Sequence, residues 1–420
     1  MSVELILHYR KTSRCALNVL AGAVASAPAT AGLRIRIARN PADLVAALRE
    51  ARSASARPVV AWSFCTASFG EVTAELEAVR RGAGTAALHV AGGPHPSADP
   101  AAVLRAGFDL AALGEGEGTL PALLSALEAG EGPGGVPGLA WLDAGRLRTS
   151  GRAPPVDLDV VPALCERLDR INPIELTRGC IWGCRFCQTP FLFKARWRHR
   201  SVAAVRRAVR HMRLAGARDV RFITPSAFSY GAAGPEPELD AVEALLAGVR
   251  EEAGPGMRIF LGSFPSELRP EHVSPRGLSL LRRYCDNRTI ILGAQSGSDR
   301  LLAAAGRGHA AAAVDRAVAL AVEAGFEPWV DYVFGFPGEE EGDREATRAQ
   351  IVRLGAMGAR IHAHAFMPLP GTPWQAAAAG EVDPQTALLL ERLASKGRAH
   401  GPWRRQQEIA RRTAAPRGAS

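Results

Sequence analysis

Three cysteines, Cys180, Cys184 and Cys187, stand in a C-x3-C-x2-C array inside the stretch TRGCIWGCRFCQTPFLF, residues 177–193. Three soft thiolates within eight residues can wrap one iron–sulfur cube, and tetranuclear clusters normally take four such ligands. With three local cysteines, one iron is left without a protein ligand. By the logic that separates catalytic from structural zinc sites, an open metal position is where chemistry happens. The alternative is a zinc knuckle closed by His199 or Cys165. These lie twelve residues after the last cysteine of the array and fifteen before the first, which is awkward for a compact knuckle.

The stretches on either side of this loop alternate short apolar runs with helical patterns. Before it, strands are expected at 3–8, 33–37, 58–62, 86–90 and 108–112, and helices at 12–26, 41–50, 68–81, 99–105 and 119–128. Such alternation predicts a parallel sheet covered on both faces, a doubly wound, flavodoxin-like domain with its ligand at the carboxyl edge of the strands. Glycine-rich and polar turns fall at that edge, in HYR after the first strand, GGPHPS after the fourth and GEGEGT after the fifth. Glycine there lets a large ligand approach the backbone. Thr119 and Pro121 are read as a cap and an early-turn proline of the last helix. A hairpin is expected at 139–149, then an extended proline-bearing linker.

After the linker, six strands are expected at 173–177, 220–224, 258–262, 289–293, 329–334 and 361–366. Between the first two, Val202, Val205, Val209 and Met212 make the apolar stripe of a helix with Ser201 as its cap. Six repeats fall short of the eight of a closed barrel, and function in such barrels sits at the carboxyl ends of the strands.

A chain of 420 residues exceeds one ordinary core, so two domains are expected. The formal net charge of +9 comes almost wholly from arginines spread along the chain, which is no specific mark of a nucleic-acid partner. Seven cysteines, an odd number with three clustered, argue against a disulfide framework and for a reducing compartment. No apolar run approaches the length of a membrane span. Arg10, Lys11 and Arg14 before an alanine-rich run imitate a signal peptide, but a strand precedes them, so a cytoplasmic location is expected.

The cysteine array, together with IILGAQSGSDRLL, VDYVFGFPGEEE and PLPGTP, resembles the radical S-adenosylmethionine (SAM) superfamily. GGPHPSADP followed by GFDLAALGEGEGTLPALL resembles the cobalamin-binding domain that precedes the catalytic domain in one branch of it. The resemblance implies a doubly wound cobalamin-binding-type domain at 1–135 and a hairpin and linker at 136–164. A partial (β/α)6 radical SAM barrel at 165–385 and an arginine-rich tail at 386–420 complete the chain. It implies a 4Fe–4S cluster on Cys180, Cys184 and Cys187. SAM would be held by Phe186, Thr224, Ser226, Gln295, Ser296, Ser298, Arg307, Phe334 and Gly335. Cobalamin would lie against Tyr9, Ser63, Thr66, Gly92, Gly93, His95, Gly114, Glu115, Gly116 and Glu117. The Asp-x-His-x-x-Gly motif of many cobalamin proteins is absent, since Ile6 and Lys11 flank His8 where Asp and Gly belong. His8 is therefore not assigned as the lower cobalt ligand.

The implied activity is reductive cleavage of SAM to start radical chemistry, with cobalamin-dependent methyl transfer to an unactivated carbon as the leading reading. An electron donor such as a flavodoxin or ferredoxin is implied, and neither a membrane nor a nucleic-acid partner is. Radical rearrangement or cyclisation without methylation stays open, as does a cobalamin or iron–sulfur sensor without turnover. Transfer of sulfur and methyl groups to RNA or protein needs a second cluster in the N-terminal domain, which Cys15 and Cys65 alone cannot build. In the substrate region, Glu267 is read as a helix-start carboxylate and Cys285 as a packing residue.

Overall fold

The computed structural model describes residues 2–84, 87–194 and 196–414. Position 86, the expected start of the fourth strand, and residues 415–420 of the expected tail lie outside the described residues. The chain divides after Asn172 into two compact units.

The first unit is built on β1 (Val3–His8), β2 (Arg34–Ala38), β3 (Arg57–Ser63), β4 (Leu88–Gly92), β5 (Leu110–Ala112), β6 (Leu139–Asp143) and β7 (Arg146–Thr149). Their order is β2-β1-β3-β4-β5-β6-β7. The first five are parallel, in the flavodoxin-like order, and the β6–β7 hairpin adds two antiparallel strands at one edge. Every residue of β1 is buried. A strand covered on both faces has no polar side to present, which is why VELILH reads as an apolar run and not as an alternation.

Helices α1 (Arg14–Ser26), α2 (Pro41–Ser53), α3 (Phe69–Ala83), α4 (Pro94–Ala98), α5 (Pro100–Arg105) and α6 (Gly116–Glu128) cover the sheet. Two apolar cores result. One gathers Ile6, Leu44, Trp62, Leu76 and Phe108, the other Leu5, Leu17, Val24, Leu123 and Leu139. Two local expectations are corrected. The proline-bearing turn after β4 forms α4, because Pro94 stands at a first helical position, where its missing N–H costs nothing. Helix α6 begins at Gly116, so Thr119 and Pro121 lie inside it. Thr119 Oγ1 donates to the Pro137 carbonyl at 3.1 Å and does not cap the helix.

The second unit opens with β8 (Ile174–Glu175), β9 (Thr177–Arg178) and β10 (Arg198–His199), and continues with β11 (Asp219–Ile223), β12 (Arg258–Phe260), β13 (Thr289–Gln295), β14 (Glu327–Phe334), β15 (Arg360–Ala365) and β16 (Ala399–His400). Parallel pairing runs β8-β11-β12 and β13-β14-β15-β16, and a parallel bridge from Leu268 to Leu292 joins the two runs. This is the six-stranded partial barrel, with β16 as a short additional strand. Its helices are α7 (Gln188–Leu192), α8 (Val202–Leu214), α9 (Leu239–Ala253), α10 (Pro275–Tyr284), α11 (Asp299–Ala304), α12 (Ala311–Glu323), α13 (Glu341–Ala356), α14 (Pro384–Ser395) and α15 (Trp403–Ala414). In α8, Val205, Val209 and Met212 are buried, and Ser201 Oγ accepts from Ala204 N–H, as the stripe and the cap require. Residues 386–414, expected as a tail, belong to this unit through α14, β16 and α15. Gln406 of α15 accepts from Ala365 N–H at 2.9 Å. Among the described residues, no helix is long and apolar enough to cross a membrane.

Candidate functional site

The cysteine loop leaves the carboxyl end of β9. Gly179 turns it with φ +87°, in the left-handed region that suits glycine, and the β9–β10 ribbon closes its far side. Cys187 N–H donates to the Cys184 carbonyl at 3.0 Å, and Arg185 N–H to the Ala305 carbonyl at 2.9 Å, which ties the loop to the end of α11. Arg307 lies against this loop. It is buried, its Nη1 points at Cys184 Sγ from 3.7 Å, and its Nη2 donates to the Gly293 carbonyl at 2.6 Å. Arg307 Nε is buried without a partner. Arg269 stacks on Trp182 at 3.8 Å and donates to the Arg307 carbonyl, so two cations border the thiols.

Burial pushes the Cys180 thiol up to about 11 and raises that of Cys187, and in each case neighbouring cysteines add to the rise. The three sulfurs thus share one electrostatic neighbourhood. They are not a group whose ligand atoms all lie within 4.8 Å of one another; among the described residues only Asp331, His362 and His364 meet that spacing. Three soft donors in one neighbourhood, with arginines beside them, fit an iron–sulfur cluster. A zinc knuckle lacks its fourth ligand. Both ring nitrogens of His199 are engaged, by Thr177 and by the Ala232 carbonyl, and Cys165 is fully buried in the core of the first unit.

Most of the other positions expected around SAM fall at the carboxyl ends of β11, β13 and β14. Gln295 ends β13 at a register shift and holds φ +73°. A side chain in that region costs energy and persists where its surroundings over-determine it. Ser296 and Ser298 are buried and their hydroxyls are used within the protein. Ser296 Oγ accepts from Ser298 N–H and meets Thr347 Oγ1, while Ser298 caps α11 and donates to Asp343 Oδ1. After β11, Thr224 Oγ1 donates to the Ser226 carbonyl, and Ser226 Oγ is buried without a partner. Phe334 is buried beside Tyr332, while Phe186 packs on Phe336 at 5.3 Å. Gly335, at φ +76°, donates its N–H to Glu339 Oε2 at 3.1 Å. Burial pushes the Glu339 carboxyl up to about 7.

In the first unit the expected contacts also gather at the carboxyl edge. Tyr9 OH donates to Asn18 Oδ1, and Thr66 Oγ1 meets His95 Nδ1 at 3.1 Å. His95 is buried against Phe69, and Gly93 backs onto Phe64 and the Ser63 side chain with φ +100°. Gly114 has φ +92° and nothing within 4 Å of where a Cβ would stand, while Glu115 accepts from Val156 N–H. Gly92 ends β4, and Gly116 and Glu117 form the first turn of α6. Of these glycines Gly114 faces open space, whereas Gly93 and Gly116 back onto Phe64 and Leu20. His8 is buried under Trp62 with Nε2 2.9 Å from Glu75 Oε2, so it is occupied by its own domain.

Sequence reasoning placed Glu267 in the substrate region but missed the side chains that join it on the inner face of the barrel. There Asp331, His362, His364, Glu267 and His400 line a cavity of about 360 Å³. Glu267 stands in this cavity and at no helix start, and burial pushes it up to about 6, with Asp331 adding to the rise. The H-x-H pattern on a strand of alternating burial was the available clue.

A doubly wound unit ahead of a partial barrel with a tri-cysteine loop defines a class, the cobalamin-binding radical SAM proteins. The family comparisons agree: the Radical SAM superfamily model matches residues 174–351 and the B12 binding domain model matches residues 14–124. Residues 174–351 thus belong to the radical SAM superfamily and residues 14–124 to the B12 binding domains, and the cofactors these two families imply are a 4Fe–4S cluster, SAM and cobalamin. The structure is similar to that of TsrM, a radical SAM methyltransferase from Kitasatospora setae solved with cobalamin and a [4Fe-4S] cluster bound. The TM-score is 0.70 at 20% identity, over 90% of this chain and 76% of that one. It is also similar to the cobalamin-dependent radical enzyme OxsB, with a TM-score of 0.63 at 13% identity over 83% and 52% of the two chains. In sequence it is 26% identical over 341 residues to an uncharacterised protein of Methanopyrus kandleri, covering 67% of this chain. It is 28% identical over 264 residues, 59% of this chain, to a tRNA-2-methylthio-N(6)-dimethylallyladenosine synthase of Halorhodospira halophila. The matched regions span 61% and 53% of those two relatives.

Proposed function

We propose that this protein is a cobalamin-dependent radical SAM methyltransferase that places a methyl group on a carbon of an organic substrate. One observation carries the reading: a C-x3-C-x2-C loop at the strand tips of a barrel, in a chain whose other unit is a B12 binding fold. TsrM, which shares both parts, is a methyltransferase by its description.

Bound together, the cluster and cobalamin supply the electron that cleaves SAM and the carrier for its methyl group. In this reading Cys180, Cys184 and Cys187 hold the cluster and give up their protons to do so. Arg307, whose Nη1 faces Cys184 and whose Nε is buried without a partner, would receive the SAM carboxylate, and Ser226 Oγ is a second buried polar atom without a partner after β11. Gln295, held at positive φ at the end of β13, would contact the ribose. Ser296 and Ser298 act by fixing the loop that carries Gln295, since their hydroxyls are committed to Thr347 and Asp343. Phe186, packed on Phe336, walls the site and excludes water.

The test is anaerobic incubation of the reconstituted protein with SAM, a reductant and cobalamin. Release of S-adenosylhomocysteine that depends on cobalamin supports methyl transfer, and a substrate product heavier by one methylene unit completes the case. 5′-Deoxyadenosine without S-adenosylhomocysteine favours rearrangement or cyclisation. No consumption of SAM would return the protein to the sensor class. Alanine at Cys180, Cys184 or Cys187 is expected to abolish both products.

A further inference from the structure

Three ligand-type side chains converge on the inner face of the barrel, on strands other than the one that leads into the cysteine loop. Asp331 of β14 and His362 of β15 are register partners. Alternate strand residues share a face, so His364 projects to the same side as His362. His362 Nδ1 is 2.9 Å from Asp331 Oδ1 and 3.2 Å from His364 Nε2. All three atoms lie within 4.8 Å of one another. Ligands bound side by side on one ion, each at about 2.0–2.2 Å, are themselves about 2.9–3.5 Å apart.

Protons alone do not account for this arrangement. A ring nitrogen carries one hydrogen or one lone pair in its plane. His362 Nδ1 therefore completes a hydrogen bond with Asp331 or with His364, and the remaining group faces it unmatched. A cation at the centre meets all three as lone-pair donors. The geometry points to a second metal centre, in which Asp331 Oδ1, His362 Nδ1 and His364 Nε2 bind one divalent transition-metal ion of the zinc or ferrous class.

The surroundings suit such an ion. Three protein ligands leave a coordination position open, the condition of a catalytic and not a structural site. The cavity beside the triad is walled by Phe264, Ile291 and Trp329, an apolar lining for the organic part of a molecule whose heteroatom takes that position. Gly293, the register partner of Asp331, is the residue whose carbonyl receives Arg307, so the ion would lie one strand away from a residue tied to Cys184 through that arginine. Gln406 Nε2 stands 3.2 Å from His364 Nδ1, and its Oε1 accepts from Ala365 N–H. With the ion bound, His364 carries its hydrogen on Nδ1. Gln406 would then present Oε1, in place of Nε2, to that hydrogen and orient the ligand from behind.

The experiment uses cobalamin-free, full-length protein with Cys180→Ala, Cys184→Ala and Cys187→Ala, which removes the iron cluster, titrated with Co²⁺ and then Zn²⁺. The expected result is visible d–d absorption saturating at one equivalent and displaced by zinc. His362→Ala, His364→Ala and Asp331→Asn should each weaken uptake by at least about tenfold, the scale of losing even an outer-shell partner. Should the cysteine variant not fold, zinc is counted by mass spectrometry in the reconstituted intact chain. One zinc per chain, lost in His362→Ala with iron content unchanged, supports the site. Absence of stoichiometric metal in either preparation, or metal that survives His362→Ala and His364→Ala, overturns it and leaves a hydrogen-bonded cluster only.

Discussion

Gly179 shows how tightly single residues hold the cysteine loop. Its φ is +87°, and a Cβ there would overlap the Arg196 carbonyl oxygen, which is backbone and cannot swing aside. Gly179→Ala is therefore expected to move Cys180 and lower the iron content on reconstitution, with the far-UV circular dichroism unchanged. Glu339 gives the pH counterpart. Its carboxyl is pushed up to about 7 against an ordinary 4.5, chiefly by burial. An acid whose folded pKa is raised holds its proton in the native state while the unfolded chain has released it. The stabilisation is complete below about pH 4.5 and is lost as pH rises through about 7. Glu339→Gln should flatten the pH dependence of the melting temperature in that window. The cysteine ligands were legible in the sequence because their spacing is local. Asp331 and His362 were not, because they are thirty-one positions apart and meet only when β14 and β15 pair.

At the scale of elements, the partial barrel was legible because its strands carry a period that burial imposes. In β14 the buried residues Pro328, Val330, Tyr332 and Phe334 alternate with Trp329, Asp331 and Val333, which are only half-buried. Tyr332 is fully buried and donates to Gln350 Oε1 at 2.8 Å. Tyr332→Phe leaves that oxygen without its donor, at a cost of about 1–3 kcal/mol, readable as a lower urea midpoint at unchanged slope. Short elements escaped the same reasoning. The two-residue strands β9, β10 and β16 are too brief for any period, and α4 is a single turn hidden in a proline-rich segment. The start of α6 was misplaced because Gly116 and Gly118 favour a loop, and here tertiary packing overrides that preference.

For the whole molecule, two units with separate cores predict that the cofactors load independently. Gly93→Val, at φ +100° with a Cβ site 2.8 Å from the Phe64 carbonyl oxygen, should lower cobalamin retention while the iron content stays unchanged. Alanine at the three cluster cysteines should do the reverse, each measured on the same purified preparation. The flavodoxin-like sheet of the first unit ends in β2 on one side and β7 on the other. Their sequences are RIRIA and RLRT, so both open rims alternate arginine with an aliphatic side chain. On β2 Arg34 and Arg36 pair with Glu4, and Arg36 also with Glu50, while on β7 Arg148 pairs with Asp143, so a second copy lying along either rim would have to strip water from these ion pairs before it could extend the sheet. Charged rims of this kind would disfavour fibrous self-association by edge pairing.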